Sequence, residues 1–174
     1  MNRKIILYIA TSLDGFIAKE DGNIDWLTKY ENSGEDYGFK EMYDRIGTML
    51  VGGTTYRQIE DAYKGKEAYV FTKPKPKPKQ KADNIHFVSG DVKEIVNNLK
   101  LGNNKNIWLV GGADLVNQFL SADLIDEYVI TIIPILLGKG ISLFHGENPE
   151  SNLKLLNVKS YDSGLVKLYY IKRA

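Results

Sequence analysis

Two short apolar runs in this chain end in the same way. "MLVGGTTYRQI" at 49–59 and "WLVGGADLVNQFL" at 108–120 each reach a glycine pair and then pass at once into helical spacing. An apolar run of four to six residues without polar interruption is the pattern of a strand covered on both faces, as in a parallel sheet. Parallel neighbours need long crossover connections, which are usually helical. Two strand–glycine–helix units therefore commit the chain to a layered α/β architecture.

The rest of the sequence continues that alternation. Ile5, Ile6, Leu7 and Ile9 predict a central strand over 4–10, and Asp14-Gly15 in "SLDGFIA" predicts a turn. Residues 19–35 are rich in charged residues, asparagine and glycine and predict a long loop holding Trp26 and Leu27. Phe39, Met42, Tyr43 and Ile46 at three-to-four spacing predict a helix over 36–46. "EAYVFT" (67–72), "IHFVS" (85–89), "NIWLVG" (106–111) and "EYVITIIPILL" (127–137) predict strands, the last with Pro134 at an edge or bulge. "DVKEIVNNL" (91–99) predicts a helix with Asp91 as its N-cap, and a further helix covers 113–121. The end of the chain reads as two strands joined at Asp162-Ser163-Gly164. The expectation is one α/β domain over 1–174, with a mostly parallel sheet and an antiparallel edge.

Composition removes several function classes. With no cysteine there is no disulfide framework, no thiolate metal site and no thiol nucleophile, and two histidines far apart, His86 and His145, argue against a histidine metal centre. A formal net charge of +1 gives no ground for a nucleic-acid or membrane partner. "KIILYIA" is too short for a membrane span, which needs about 20 residues, and lacks a cleavage site, so a cytoplasmic protein is expected. The tract "KPKPKPK" (73–79) forces extended, unpaired backbone and keeps its lysines wet, which predicts a solvated inter-strand loop.

The glycine pairs point to a ligand class. A helix N-terminus offers unpaired amides and the positive end of a dipole, which suits phosphate, and glycine ahead of it permits close approach. Gly-Gly after a strand also serves simply as a tight turn; two such units at the carboxyl ends of strands favour a cleft for a dinucleotide.

The order "SLDGFIA", Trp26, "LVGGTTY", "LVGGADLVNQFL", "DEYVITIIPILLGKGISLF" resembles the dihydrofolate-reductase-like superfamily. It is most similar to stand-alone relatives of the reductase domain of the bifunctional riboflavin-biosynthesis deaminase-reductase. The resemblance covers nearly the whole chain and implies a three-layer fold, a central sheet of about eight strands and an NADPH cleft. It implies that Ala10 and Ile17 flank the nicotinamide, that Gly52, Thr54, Thr55 and Tyr56 form one phosphate-binding helix start, and that Gly111, Gly112, Ala113, Asp114 and Leu115 form the other. Where relatives often have an arginine that meets the adenosine 2′-phosphate, this chain has Gly53; Thr72 and Lys73 are the expected substitutes. The Asp-Asp-Pro-x-Leu-x-Arg run of the riboflavin reductase domain is replaced by "YRQIEDAYKG" at 56–65.

Such a reductase needs an acid to deliver a proton. Asp36 falls near the active-site carboxylate of dihydrofolate reductases, and it is equally placed to cap the helix it begins. Trp26 would wall the substrate pocket, Phe39 would stack on a planar ring, and Thr131 aligns with a threonine that supports the carboxylate. The expected function is NADPH-dependent hydride transfer to a small pterin- or pyrimidine-like molecule, in a homodimer; a structural or interaction protein that uses "VITIIPILLG" for dimer contact is a further reading. The alternative is a non-catalytic nucleotide-binding module on the same fold. No metal site and no nucleic-acid partner are expected.

Overall fold

A computed structural model describes residues 3–59, 65–73, 83–101 and 105–173. Ten strands are assigned among them: β1 (Ile5–Ser12), β2 (Phe16–Ala18), β3 (Ile46–Gly52), β4 (Glu67–Phe71), β5 (Ile85–Val88), β6 (Asn106–Gly111), β7 (Glu127–Ile133), β8 (Ile141–Ser142), β9 (Leu153–Ser160) and β10 (Val166–Lys172). Eight of these form one sheet in the order β5-β4-β3-β6-β1-β7-β10-β9. Pairing is parallel from β5 through β7 and antiparallel for β10 and β9. The mostly parallel sheet with an antiparallel edge is the expected one.

Helices cover both faces. On one side Val92 and Val96 of α4 (Val92–Lys100) and Leu115, Val116 and Phe119 of α5 (Ala113–Ser121) close over Ile5, Leu7, Leu50, Ile107 and Leu109. On the other, Met42 of α2 (Phe39–Asp44) and Tyr56 of α3 (Gly53–Gln58) close over Ile6, Met49, Val51, Trp108 and Val110. Odd and even residues of each strand thus serve different layers, as a pleated strand buried on both faces requires. Asp91 caps α4 as predicted, accepting from Lys93 N at 2.6 Å.

Three local expectations are corrected. The helix over 36–46 is shorter, because Gly38 takes a left-handed conformation and α2 starts at Phe39. The loop 19–35 contains a 3-10 turn at Asp25–Leu27 followed by the four-residue α1 (Thr28–Glu31), brought about by burial of Trp26. The strand over 127–137 stops at Ile133, since Pro134 has no amide to extend an internal ladder. The lysine–proline tract from residue 74 onward lies outside the described residues; only Lys73 of that segment is placed.

The motifs "SLDGFIA" and "PILLGKGISLF" are distant in sequence and clasped in space. Ser12 Oγ donates to Asp14 Oδ1 at 2.6 Å and accepts from Phe16 N at 2.9 Å. The Asp14 carboxylate in turn accepts from Leu137 N at 3.1 Å and Gly138 N at 2.7 Å. The Ser12 hydroxyl, with the Gly138 and Leu137 amides, holds the Asp14 carboxyl below the usual carboxylate range. Leu13 N donates to Ile135 O at 2.8 Å, Leu143 N donates to Gly15 O at 3.0 Å, and β2 pairs antiparallel with β8. Asp14 therefore belongs to its turn, as expected, and also clasps the distant 137–138 backbone.

Gly140 is needed for this approach: a Cβ there would lie 2.3 Å from Ala18 O, a backbone atom. Gly140→Ala should cost about 2 kcal/mol or more in chemical denaturation, because the clasp has to open to admit it. Gly138 has a φ of +75° but open space around its Cβ position. Gly138→Ala should therefore cost only about 1 kcal/mol, from backbone conformation alone.

Candidate functional site

The two glycine exits meet. β3 and β6 are adjacent parallel strands, with Leu50 opposite Leu109 and Val51 opposite Gly111. Their helices leave to opposite faces of the sheet, α3 to the Met49 side and α5 to the Leu109 side. Neighbouring strands whose connections diverge in this way leave a crevice at their carboxyl ends, the usual ligand position in open α/β sheets. A Cβ on Gly52 would lie 3.4 Å from Gly112 N and 3.6 Å from Gly111 O, and one on Gly112 would lie 3.0 Å from Thr55 Oγ1. A Cβ on Gly53 would meet Thr72 Cγ2 at 3.1 Å. The glycines form tight turns, and they are tight because each exit packs on the other.

The expected cofactor residues are distributed around that junction. Thr54 is exposed and accepts from Arg57 Nη2 at 3.3 Å, and Thr55 faces the second exit. Thr72 and the exposed Lys73 follow β4 beside Gly53. The Tyr56 ring is buried against Phe87, and Ala113 and Leu115 are buried under α5, so their side chains belong to the core. Of these residues only backbone remains for a ligand, and the Leu115 amide already donates to Gly112 O at 3.1 Å. Asp114 is exposed at the first turn of α5, with Oδ1 3.3 Å from His145 Nε2. Ala10 and Ile17 lie near the same end of the sheet on different sides, Ala10 packed against the Trp26 cluster and Ile17 against the α5 layer.

Over the middle of β1 the cover of the sheet is incomplete. β1 is internal, between β6 and β7, yet Tyr8, Ile9 and Ala10 in its middle are only half-buried. On the α2 face, Ala10, Thr131 and Lys167 form one row across β1, β7 and β10, and Tyr8, Val129 and Tyr169 form the next. Phe39, 41% exposed, stacks on Tyr43 and meets the edges of Tyr8 and Trp108. Trp26 is buried with Ile133 and Leu165, and its indole Nε1 has no hydrogen-bond partner among the described residues. The structure thus brings Trp26, Phe39 and Thr131 to one side of the sheet.

Asp36 is exposed, and its carboxylate accepts from Lys40 N at 3.1 and 3.2 Å, capping α2. It remains within electrostatic reach of Tyr8 and Lys167.

Sequence reading missed Lys167. It sits on the last strand, is 1% exposed, and donates from Nζ to Tyr8 Oη at 2.8 Å and to Tyr37 O. Its ammonium also lies 4.7 Å from the centre of the Tyr8 ring. Burial, then the nearby Lys159, pushes Lys167 down to about 8, against the opposing pull of Asp36 and Glu41. Burial likewise raises the Tyr8 phenol well above its ordinary value, with Tyr169, Tyr161 and Asp36 adding to the effect. The available signal was a lysine in alternation with Leu165 and Tyr169 on an otherwise apolar strand face, which a charged "VKLYYIKR" tail conceals.

A small hollow of about 70 Å³ lies under α2, lined by Ile6, Met42, Glu41 and Tyr169 among others. It is well below the roughly 300 Å³ of ligand pockets, and we assign it to imperfect packing under a short helix.

Residues 60–167 match the family model described as the RibD C-terminal domain. The Bacillus subtilis protein YwjB is 41% identical over 99% of both chains, and YyaP of the same organism is 32% identical over 97% of this chain and 94% of its own. Among solved structures, a Shewanella sp. PV-4 protein assigned to riboflavin biosynthesis superposes with a TM-score of 0.87 at 28% identity, covering all of both chains. The Thermotoga maritima diaminohydroxyphosphoribosylaminopyrimidine deaminase/5-amino-6-(5-phosphoribosylamino)uracil reductase shares the fold, with a TM-score of 0.73 at 17% identity. That match covers 99% of this chain and 57% of the Thermotoga one.

Contact between the two exits is testable without any ligand. Gly112→Ala should destabilise by about 1–2 kcal/mol, because its Cβ is forced against the Thr55 hydroxyl. Adding Thr55→Ala should recover a large part of that cost, a coupling of about 0.5 kcal/mol or more in a double-mutant cycle by urea denaturation. Additive effects would mean that the exits do not touch.

Proposed function

This chain belongs to the RibD C-terminal domain family, and from that premise we propose that it is an NADPH-dependent reductase of a small planar molecule with a pterin- or pyrimidine-like ring. The observation behind this reading is the convergence of the exits, so close that Cβ atoms on Gly52, Gly53 or Gly112 would meet Gly112 N, Thr72 Cγ2 and Thr55 Oγ1. The residues fit a dinucleotide. The first amides of a helix have no partner within it, so those at the start of the nine-residue α5 suit a diphosphate oxygen. Gly111, Gly112 and the backbone of Ala113, Asp114 and Leu115 would hold one phosphate. Gly52, the Thr54 and Thr55 hydroxyls and the Tyr56 backbone would hold the other.

Thr72 and Lys73, at the end of β4 beside Gly53, would receive the adenosine phosphate, with Arg57 a second cation on the Thr54 side. Ala10 and Ile17 would flank the nicotinamide, which when bound supplies the hydride. The substrate ring would then lie over the half-buried middle of β1, against Phe39 and beside Thr131. The orphaned Trp26 indole N–H is a buried donor suited to an acceptor on such a ring. Asp36, engaged with α2, would act on this site chiefly through its charge.

Titration with NADPH should enhance nicotinamide fluorescence at micromolar concentrations. Lys73→Ala should weaken NADPH binding by about 1 kcal/mol, roughly five-fold, and leave NADH almost unaffected. Absence of binding at millimolar NADPH would overturn the reading. Tight binding without oxidation in the presence of pterins and pyrimidines would leave a nucleotide-binding module instead.

A further inference from the structure

The reductase reading leaves open where the proton comes from, and Asp36 is occupied at the start of α2. We propose that Tyr8 is the catalytic proton donor of this site, and that Lys167 is the positioning residue behind it that restores its proton. The inference rests on the reductase reading above.

Geometry makes the case. Tyr8 lies two residues before Ala10, so both side chains stand on the same face of β1, where both are only partly buried. A lysine ammonium has only donors, so in the 2.8 Å contact Tyr8 Oη must accept from Lys167 Nζ. The phenolic proton is then directed to some other acceptor. Lys167 itself cannot reach a substrate directly, being 1% exposed and tied to the Tyr37 carbonyl on its other side. The less buried member of the pair is the tyrosine, which is half-buried.

The charges around the pair fit a relay. Asp36 ahead of α2 and Glu41 within it favour the protonated lysine, while Lys159 on β9 and burial disfavour it. The lysine, pushed down to about 8, gives up a proton more easily than an ordinary one and is still charged at neutral pH. Tyr8, pushed the other way, does not accumulate as tyrosinate. Loss of its proton must therefore coincide with arrival of another. In balance, the Tyr8 O–H bond breaks as a substrate nitrogen or oxygen takes the proton. One Lys167 N–H bond breaks as Tyr8 Oη is reprotonated, and the neutral lysine recovers a proton from solvent. The electron pair that reduces the substrate comes with the hydride.

The test uses the full chain with ¹³C-labelled lysine, plus NADPH oxidation assayed with 7,8-dihydrofolate and with 5-amino-6-(5-phosphoribosylamino)uracil. One lysine resonance, absent in Lys167→Met, should titrate near pH 8 and should shift in Tyr8→Phe. Turnover by the natural chain should be flat below that pH and fall about ten-fold per unit above it, because the relay needs the ammonium form. Tyr8→Phe and Lys167→Met should each lower kcat on the order of 100-fold or more with NADPH affinity unchanged. Tyr8→Phe removes one oxygen and keeps the ring packed on Phe39 and Trp108, so it decides the matter even where Lys167→Met folds poorly. The relay is overturned, and the reductase reading kept, by a Tyr8→Phe enzyme that turns over within two-fold of the natural one. No lysine titrating below about pH 9.5 has the same consequence. NADPH left unoxidised by the natural chain with both probes overturns the reductase reading and the relay together.

Discussion

The backbones of Gly52 and Gly112 lie against each other, and the position of the candidate site follows from that contact. A Cβ on Gly52 would already touch Gly112 N at 3.4 Å, and one on Gly112 would crowd the Thr55 hydroxyl at 3.0 Å, so the two exits have no room to spare. As built, α3 and α5 leave adjacent strands for opposite faces, so their starts lie on either side of one crevice. Burial drives this arrangement. Leu50, Val51, Leu109 and Val110 are nearly inaccessible, and the register of β3 on β6 is fixed by which face each residue must serve. Since the apolar runs determine the register, they also determine that the two glycine pairs arrive together.

That explains why the architecture was legible from the amino-acid order. Continuous apolar runs, the helical spacing of 113–121 and the Asp91 cap are local signals, and each appears where expected. Other elements depend on contacts far apart in sequence. β2 and β8 are three and two residues long, and they exist because Asp14 and the 135–143 segment hold each other. No periodicity announces strands that short. α2 begins late because of a left-handed Gly38, a choice that depends on how the preceding segment packs against Tyr161 and Lys167.

The candidate site was legible to a lesser degree, and for a physical reason. Glycine pairs mark backbone approach, so the meeting of the two exits could be read directly. Over β1, side-chain direction decides, and direction depends on tertiary packing. Tyr56, Ala113 and Leu115 stand at promising positions with their side chains turned into the core. Lys167 looks like one more charge in a basic tail, and only the pairing Ala10–Thr131–Lys167 across three strands shows that it is inside.

A buried lysine is costly unless its donors are satisfied, and here a phenol oxygen, a carbonyl and an aromatic face share that task. An apolar residue of similar length would fill the space without that desolvation cost. The fold has the means to shield this position entirely, since Phe39, Tyr8 and Trp108 already form a continuous aromatic wall beside it. The cation therefore does not follow from packing alone. Its partners come from β1 and the segment just before α2, and the middle of β1 is only half-buried. A buried charge beside the half-buried middle of β1, next to Thr131 and the aromatic wall, is the kind of group that sites use more often than cores do.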